Sequence, residues 1–149
     1  MTRSNLYSSR PATSGDVVRT GILTLLSEAK RLTAKSAWLI CPQKSNLDGH
    51  LAQALGEAAC ESLARGNSVQ VDGTLLSFYG ARSLPHSGDG SPVLGCYPSE
   101  KLLARLDSMK NLPSLIVLPW TLAEAQNWID AHGPVDIFRL ARPQKLTVA

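Results

Sequence analysis

Apolar residues recur at three- and four-residue steps from Val18 through Ile22, Leu25, Leu26, Ala29 and Leu32, which predicts an amphipathic helix entered through Ser14 or Asp16 as its cap. The next apolar stretch has a different period. Ala37-Trp38-Leu39-Ile40-Cys41 is unbroken and closed by Pro42, the pattern of a strand buried on both faces. Leu51, Ala54, Leu55, Ala58, Ala59 and Leu63 then give a second helical face, ended by Gly66-Asn67. Alanine dominates that face, and Gly56 lies in its middle despite a helix-propensity cost of about 1 kcal/mol, so the expectation is one helix lying close against a sheet.

Between Val69 and Phe78, Asp72-Gly73 separates two β-prone runs and predicts a hairpin at the sheet's periphery. Gly80 to Ser91 follows with three glycines, Pro85 and no period, and is expected to be the longest mobile loop, with Gly88-Asp89-Gly90 as a turn. Strand and helix then alternate: Val93 to Tyr97, Leu102 to Met109, Leu115 to Leu118, Leu122 to Ile129, and a final edge strand at Val135 to Phe138. Alternation of this kind implies right-handed crossovers and a mainly parallel sheet covered on both faces. The fold class expected is α/β, a small three-layer α/β/α domain with a peripheral β-hairpin. Its organisation reads as a flexible N-terminal arm over 1–13, one domain over 14–140 and a basic C-terminal tail over 141–149.

Length agrees with one core, since 149 residues suffice to bury a core without a disulfide or metal staple. No apolar run approaches the roughly 18 residues of a membrane span and no secretory signal follows the N-terminus, so a cytoplasmic address and no membrane partner are expected. Charge is unevenly placed. Arg3 and Arg10 precede Ser14, and Arg139, Arg142 and Lys145 follow Asp136, with no acid in either tail, so the body between is slightly acidic. Nucleic-acid binding through the body is thereby disfavoured, leaving only phosphate contacts through the tails. Cys41, Cys60 and Cys96 are odd in number and widely spaced, with no C-x-x-C, so reduced buried thiols are expected and no metal site.

Candidate chemistry gathers at three strand-to-helix junctions: Cys41-Pro42-Gln43-Lys44-Ser45-Asn46, Tyr97-Pro98-Ser99-Glu100 and Leu118-Pro119-Trp120-Thr121. Proline ends each strand, and Ser45 with Asp48, Ser99, and Thr121 with Glu124 can cap the helices that follow. Capping alone accounts for these residue types. A functional reading adds that ligands of open α/β sheets sit beyond the carboxyl ends of the strands, where helix N-termini favour anions. On that reading Lys44 neutralises a phosphate, Gln43, Ser45, Asn46 and Asp48 supply polar contacts beside Ser99 and Thr121, and Tyr97 and Trp120 stack.

Dinucleotide, P-loop, hydrolase-elbow and zincin motifs all lack their residues. A Cys41–His50 nucleophile pair is conceivable, but a helix starting at Asn46 would put His50 a turn inside it; His86 and His132 have no visible partner. Three functions remain. The first is a protein-interaction or accessory module, self-association included. The alternative is a domain binding a nucleotide or phosphorylated small molecule at the three junctions, either as a binding domain alone or as an enzyme. The third is a nucleic-acid-associated protein acting through basic tails.

Overall fold

The structure is a computed structural model that describes residues 2–140. Every long apolar run is a strand of one seven-stranded sheet. The strands are β1 (Ser4–Tyr7), β2 (Ser36–Cys41), β3 (Val69–Val71), β4 (Thr74–Gly80), β5 (Val93–Cys96), β6 (Ser114–Leu118) and β7 (Val135–Asp136), in the order β3-β4-β2-β5-β6-β1-β7. All pairings are parallel except β3 with β4. As expected, β2, β5 and β6 are neighbours, with Leu39 opposite Leu94 and Leu94 opposite Ile116.

Side-chain alternation on these strands builds a core on each face. Helices α1 (Gly15–Arg31), α2 (His50–Leu55) and α3 (Glu57–Ala64) cover Ala37, Leu39, Cys41, Leu94, Cys96, Ile116 and Leu118. On the other face α4 (Glu100–Asp107) and α5 (Leu122–His132) cover Trp38, Ile40, Val93, Leu115 and Val117. The result is the three-layer α/β/α arrangement. Among the described residues no helix is long and apolar enough to cross a membrane. Helix α1 opens as expected, with Ser14 Oγ accepting from the Val17 amide, and comes so near the sheet that a Cβ on Gly21 would lie 2.5 Å from Leu118 Cδ1.

Four sequence expectations need correction. Ser4–Tyr7 is no flexible arm: it is an internal strand between β6 and β7, with Leu6 buried. Four residues are too few to show a period, and its polar neighbours are held by partners distant in sequence. Arg3 pairs with the Asp107 carboxylate and donates to the Asp107 carbonyl (2.9 Å), while Asp136 accepts from the Ser9 amide and hydroxyl (3.2 and 2.6 Å).

The expected single helix from Leu51 to Leu63 is two. Gly56 breaks it with φ 94° and ψ 149°, a conformation open essentially to glycine alone, and a Cβ there would meet nothing within 4 Å. Close approach to the sheet is therefore not the reason for that glycine. Third, Gly80 to Ser91 is pinned to the α4–β6 turn, with Gly88 and Gly90 amides donating to the Lys110 and Asn111 carbonyls (2.7 and 2.9 Å). Within it Asp89 and Gly90 form the expected turn, closed by Ser91 N–H to Gly88 O at 2.8 Å.

The helix after β2 begins at His50, not Asn46, preceded by a 3-10 turn over Lys44–Leu47; this is the fourth correction. The hairpin is where it was expected: β3 is an edge strand, and Asp72 (φ 51°) and Gly73 (φ 82°) make its two-residue turn, with Asp72 paired to Lys30 at 2.9 Å. Val135–Asp136 is an edge strand of two residues. The proposed basic tail over 141–149 lies outside the described residues.

Candidate functional site

Because six strands run parallel, their carboxyl ends share one edge, and the three proline junctions converge there. Adjacent strands β2 and β5 send their chains to opposite sides: β2 continues through α2 and α3 on one face toward β4, and β5 through α4 on the other toward β6. Such a divergence leaves a crevice between the two strand ends. Here it is a cavity of about 370 Å³ lined by Ser45, Asn46, Asp48, Gly49, His50, Tyr97 and Trp120.

Its aromatic wall is built by constraint. Tyr97 follows β5 with φ +55°, a value that costs an L-residue about 1–2 kcal/mol, and its amide donates to Leu118 O at 2.8 Å. The ring meets Trp120 edge-on, with centroids 5.5 Å apart at 81°. Burial, then the neighbouring Cys96 and Cys41, push the Tyr97 phenol well above its ordinary pKa, so it is a neutral hydrogen-bonding group. Trp120 remains 47% exposed, unlike Trp38 and Trp128 at 6% and 5%.

Of the residues singled out from sequence, Ser45, Asn46, Asp48, Tyr97 and Trp120 line this cavity, and four do not. Gln43 closes its own turn, its amide donating to Asn46 Oδ1 (2.9 Å) and its Oε1 accepting from Ser45 Oγ (3.3 Å). Ser99 Oγ caps α4 by accepting from the Leu102 amide at 3.1 Å. Thr121 and Glu124 form the capping box, the carboxylate accepting from the Thr121 amide and hydroxyl at 3.3 and 3.1 Å. Lys44 lines a neighbouring cavity of about 570 Å³ with Asp48, Glu57, Cys60 and Glu61. Ser99 and Thr121, with which Lys44 was expected to hold an anion, line neither cavity.

Although α2, entered through Gly49, has no side-chain cap, the N-terminal ends of α4 and α5 at this edge thus already face the chain's own oxygen atoms. The same holds for the turn from β1 to α1, the position from which a strand–loop–helix phosphate cradle works. Ser9 N–H donates to Asp136, Arg10 N–H to Ser8 Oγ (3.1 Å) and Ala12 N–H to Pro119 O (2.9 Å), while Pro11 has no N–H to give. The two N-terminal arginines are likewise engaged, with Arg3 on Asp107 and the Arg10 guanidinium 4.2 Å above the Phe138 ring.

Sequence reasoning left His50, Gly49, Glu57 and Glu61 unassigned to a site. His50 was weighed only as a partner for Cys41, which is fully buried, its thiol raised far above the ordinary value by burial and by Cys96 and Cys60. Burial and the raised pKa both disfavour the Cys41 thiolate. The His50 ring instead lies 3.4 Å from Gln53 Oε1 at the start of α2. The signal that could have found it is the glycine before it, the residue type that takes the φ of 73° found at Gly49 without strain. Glu57 and Glu61, one turn apart on α3, carried no motif. Among the described residues no group of three or more His, Cys, Asp or Glu is placed to hold a metal ion. No protein-family model, curated protein or solved structure matches this chain.

Proposed function

We propose that this chain is a protein-interaction module whose docking surface is the carboxyl edge of the sheet around Trp120. One observation carries the reading: the single strongly exposed tryptophan stands beside a tyrosine held at positive φ, at the divergence of β2 and β5. Strained backbone persists where surrounding structure imposes it and clusters at functional positions. Tryptophan and tyrosine dominate the energetic centres of protein interfaces, where one well-placed side chain contributes 2 kcal/mol or more. Arg10 and Phe138, on the same edge, extend that residue chemistry.

A second reading, a nucleotide or phosphorylated small molecule, is favoured by one fact only: the crevice volume lies within the usual range for ligand sites. The caps that occupy the N-termini of α4 and α5 weigh against it.

The experiment is site-specific photo-cross-linking in the source cells, with benzoylphenylalanine at His50 or, as a control, at Gln70 on the edge strand. An adduct with another polypeptide, identified by mass spectrometry, is expected from position 50 and not 70, and is expected to vanish with Trp120→Ala. Equal adducts at both positions, or none at 50, overturn the reading. A nucleotide screen by thermal shift separates the alternative, since a true ligand at a hundred times its Kd adds about 2.7 kcal/mol of stability.

A further inference from the structure

We infer that the partner docks through an extended proline-rich segment in the polyproline II conformation, its proline rings packed in the corner between Tyr97 and Trp120 and an adjoining basic residue set against Asp48. This rests on the reading of the Trp120 surface as a docking site and names the occupant.

Tyr97 and Trp120 both line the crevice with ring planes inclined at 81°, so this wall is a corner with an aromatic surface on each side. The polar ends of the two rings are spare. Neither the Trp120 Nε1–H nor the Tyr97 hydroxyl donates to a described residue, and burial keeps the phenol in its donating form.

The surroundings disfavour the other recurring ways of holding a peptide. Strand addition needs a free sheet edge, whereas β2 and β5 are paired on both sides and the edge strands β3 and β7 lie at the far ends of the sheet. A helix laid in a groove needs an apolar stripe, whereas Tyr97 and Trp120 alone make the apolar lining. A phosphorylated or acidic segment needs a cluster of cations, whereas no Lys or Arg is among the lining residues and Asp48 is.

A polyproline II segment matches what remains. It has no internal hydrogen bonds, so its carbonyls are free to accept from an indole N–H and a phenol O–H, and its fixed φ leaves little conformational entropy to lose on docking. Asp48 takes part in none of the ion pairs among the described residues, so a cation beside the prolines meets an unpaired opposite charge.

The probes are three capped peptides: Arg followed by eight prolines, nine prolines, and Arg followed by four Gly-Ser pairs. Each is titrated into the nitrogen-15-labelled chain, with the Trp120 indole N–H resonance as the reporter. The Arg-proline peptide is expected to shift that resonance, the nonaproline to do so with lower affinity, and the Gly-Ser peptide to leave it in place. Tyr97→Phe, which keeps the ring and removes only the hydroxyl, is expected to weaken the Arg-proline peptide about fivefold, and Asp48→Asn to bring it down to the level of nonaproline. Circular dichroism checks that both variants keep the fold. No shift with either proline peptide, equal binding of the Gly-Ser peptide, or undiminished affinity in either variant overturns the inference. The two proposals fail separately: if the adduct at position 50 forms and is lost in Trp120→Ala while neither proline peptide shifts the indole resonance, the polyproline inference falls and the docking surface stands.

Discussion

Tyr97 stands edge-on to Trp120, 5.5 Å between ring centroids, and so fixes the one tryptophan that the fold leaves in solvent. An edge-to-face aromatic pair contributes about 0.5–1.5 kcal/mol beyond the area it buries. Acrylamide should therefore quench one class of tryptophan emission in the native protein, and Trp120→Phe should abolish that class. Tyr97→Ala should lower stability by about 1–3 kcal/mol and make Trp120 more quenchable, since the ring that shields it is gone. If Trp120→Phe leaves the quenching curve unaltered, the exposed tryptophan has been wrongly assigned.

The thiols should be silent. Cys41 and Cys96 are fully buried and Cys60 nearly so, with the Cys41 and Cys60 thiols raised by burial in the first place, so the reactive thiolate is suppressed. Ellman's reagent at pH 8 should modify none of the three until the chain opens, and all of them in denaturant. A thiol that reacts within seconds in the native protein would contradict the packing of β2 against β5 and α3.

Acid should unfold this protein through three carboxylates that lie far apart in sequence. In each, burial pushes the group up and is outweighed by hydrogen bonds to the ionised form: from Arg31 and Ser114 to Glu28, from Arg3 and His132 to Asp107, and from Ser9 and the Phe138 amide to Asp136. Their folded pKa values thus lie below the unfolded ones, so the unfolded chain takes up protons first as pH falls. The stabilisation is complete above about pH 5 and is lost progressively from about pH 4 downward. Urea midpoints measured from pH 7 to pH 3 should fall along that course. Asp107→Asn should cost about 1–3 kcal/mol at neutral pH and flatten the acid limb, because it loosens Arg3 and with it β1. A midpoint that holds steady to pH 3 would remove these groups from the account.

Periodicity made the framework legible where elements are long or buried on both faces: α1, the trio β2, β5 and β6, and the Asp72-Gly73 hairpin are each set by local chemistry that a neighbour cannot easily override. Strand β1 was hidden because its hold is distant, through pairing with β6 and β7 and the reach of Arg3 to Asp107. The candidate site was legible only in part, for a related reason. Proline and capping residues marked the three junctions, but which side chains share a cavity depends on the directions in which β2 and β5 diverge, and that is a property of strand order. Lys44 illustrates it: it is a neighbour of Ser45 in sequence, yet it faces α3 and its carboxylates and not the Tyr97–Trp120 wall.

Gly56 gives the sharpest test, because the helical period and the three-dimensional structure demand opposite outcomes. Were Leu51 to Leu63 one continuous helix, Gly56→Ala would stabilise the protein by roughly 1 kcal/mol, the ordinary gain of alanine over glycine inside a helix. With φ 94° and ψ 149° at that residue, the methyl group finds open space around it but a backbone geometry it can scarcely adopt. Strain of this kind costs on the order of 1–3 kcal/mol. The break matters because α2 ends there, with the Gly56 amide donating to Ala52 O at 2.8 Å, and α3 restarts at an angle that keeps Leu51, Leu55, Cys60 and Leu63 all in the core. Denaturant unfolding of Gly56→Ala should therefore show a lower midpoint with an unchanged slope, and the buried cysteines should label sooner as α3 loosens. A raised midpoint would restore the single helix and shift Glu57 and Glu61 away from the cavity they line.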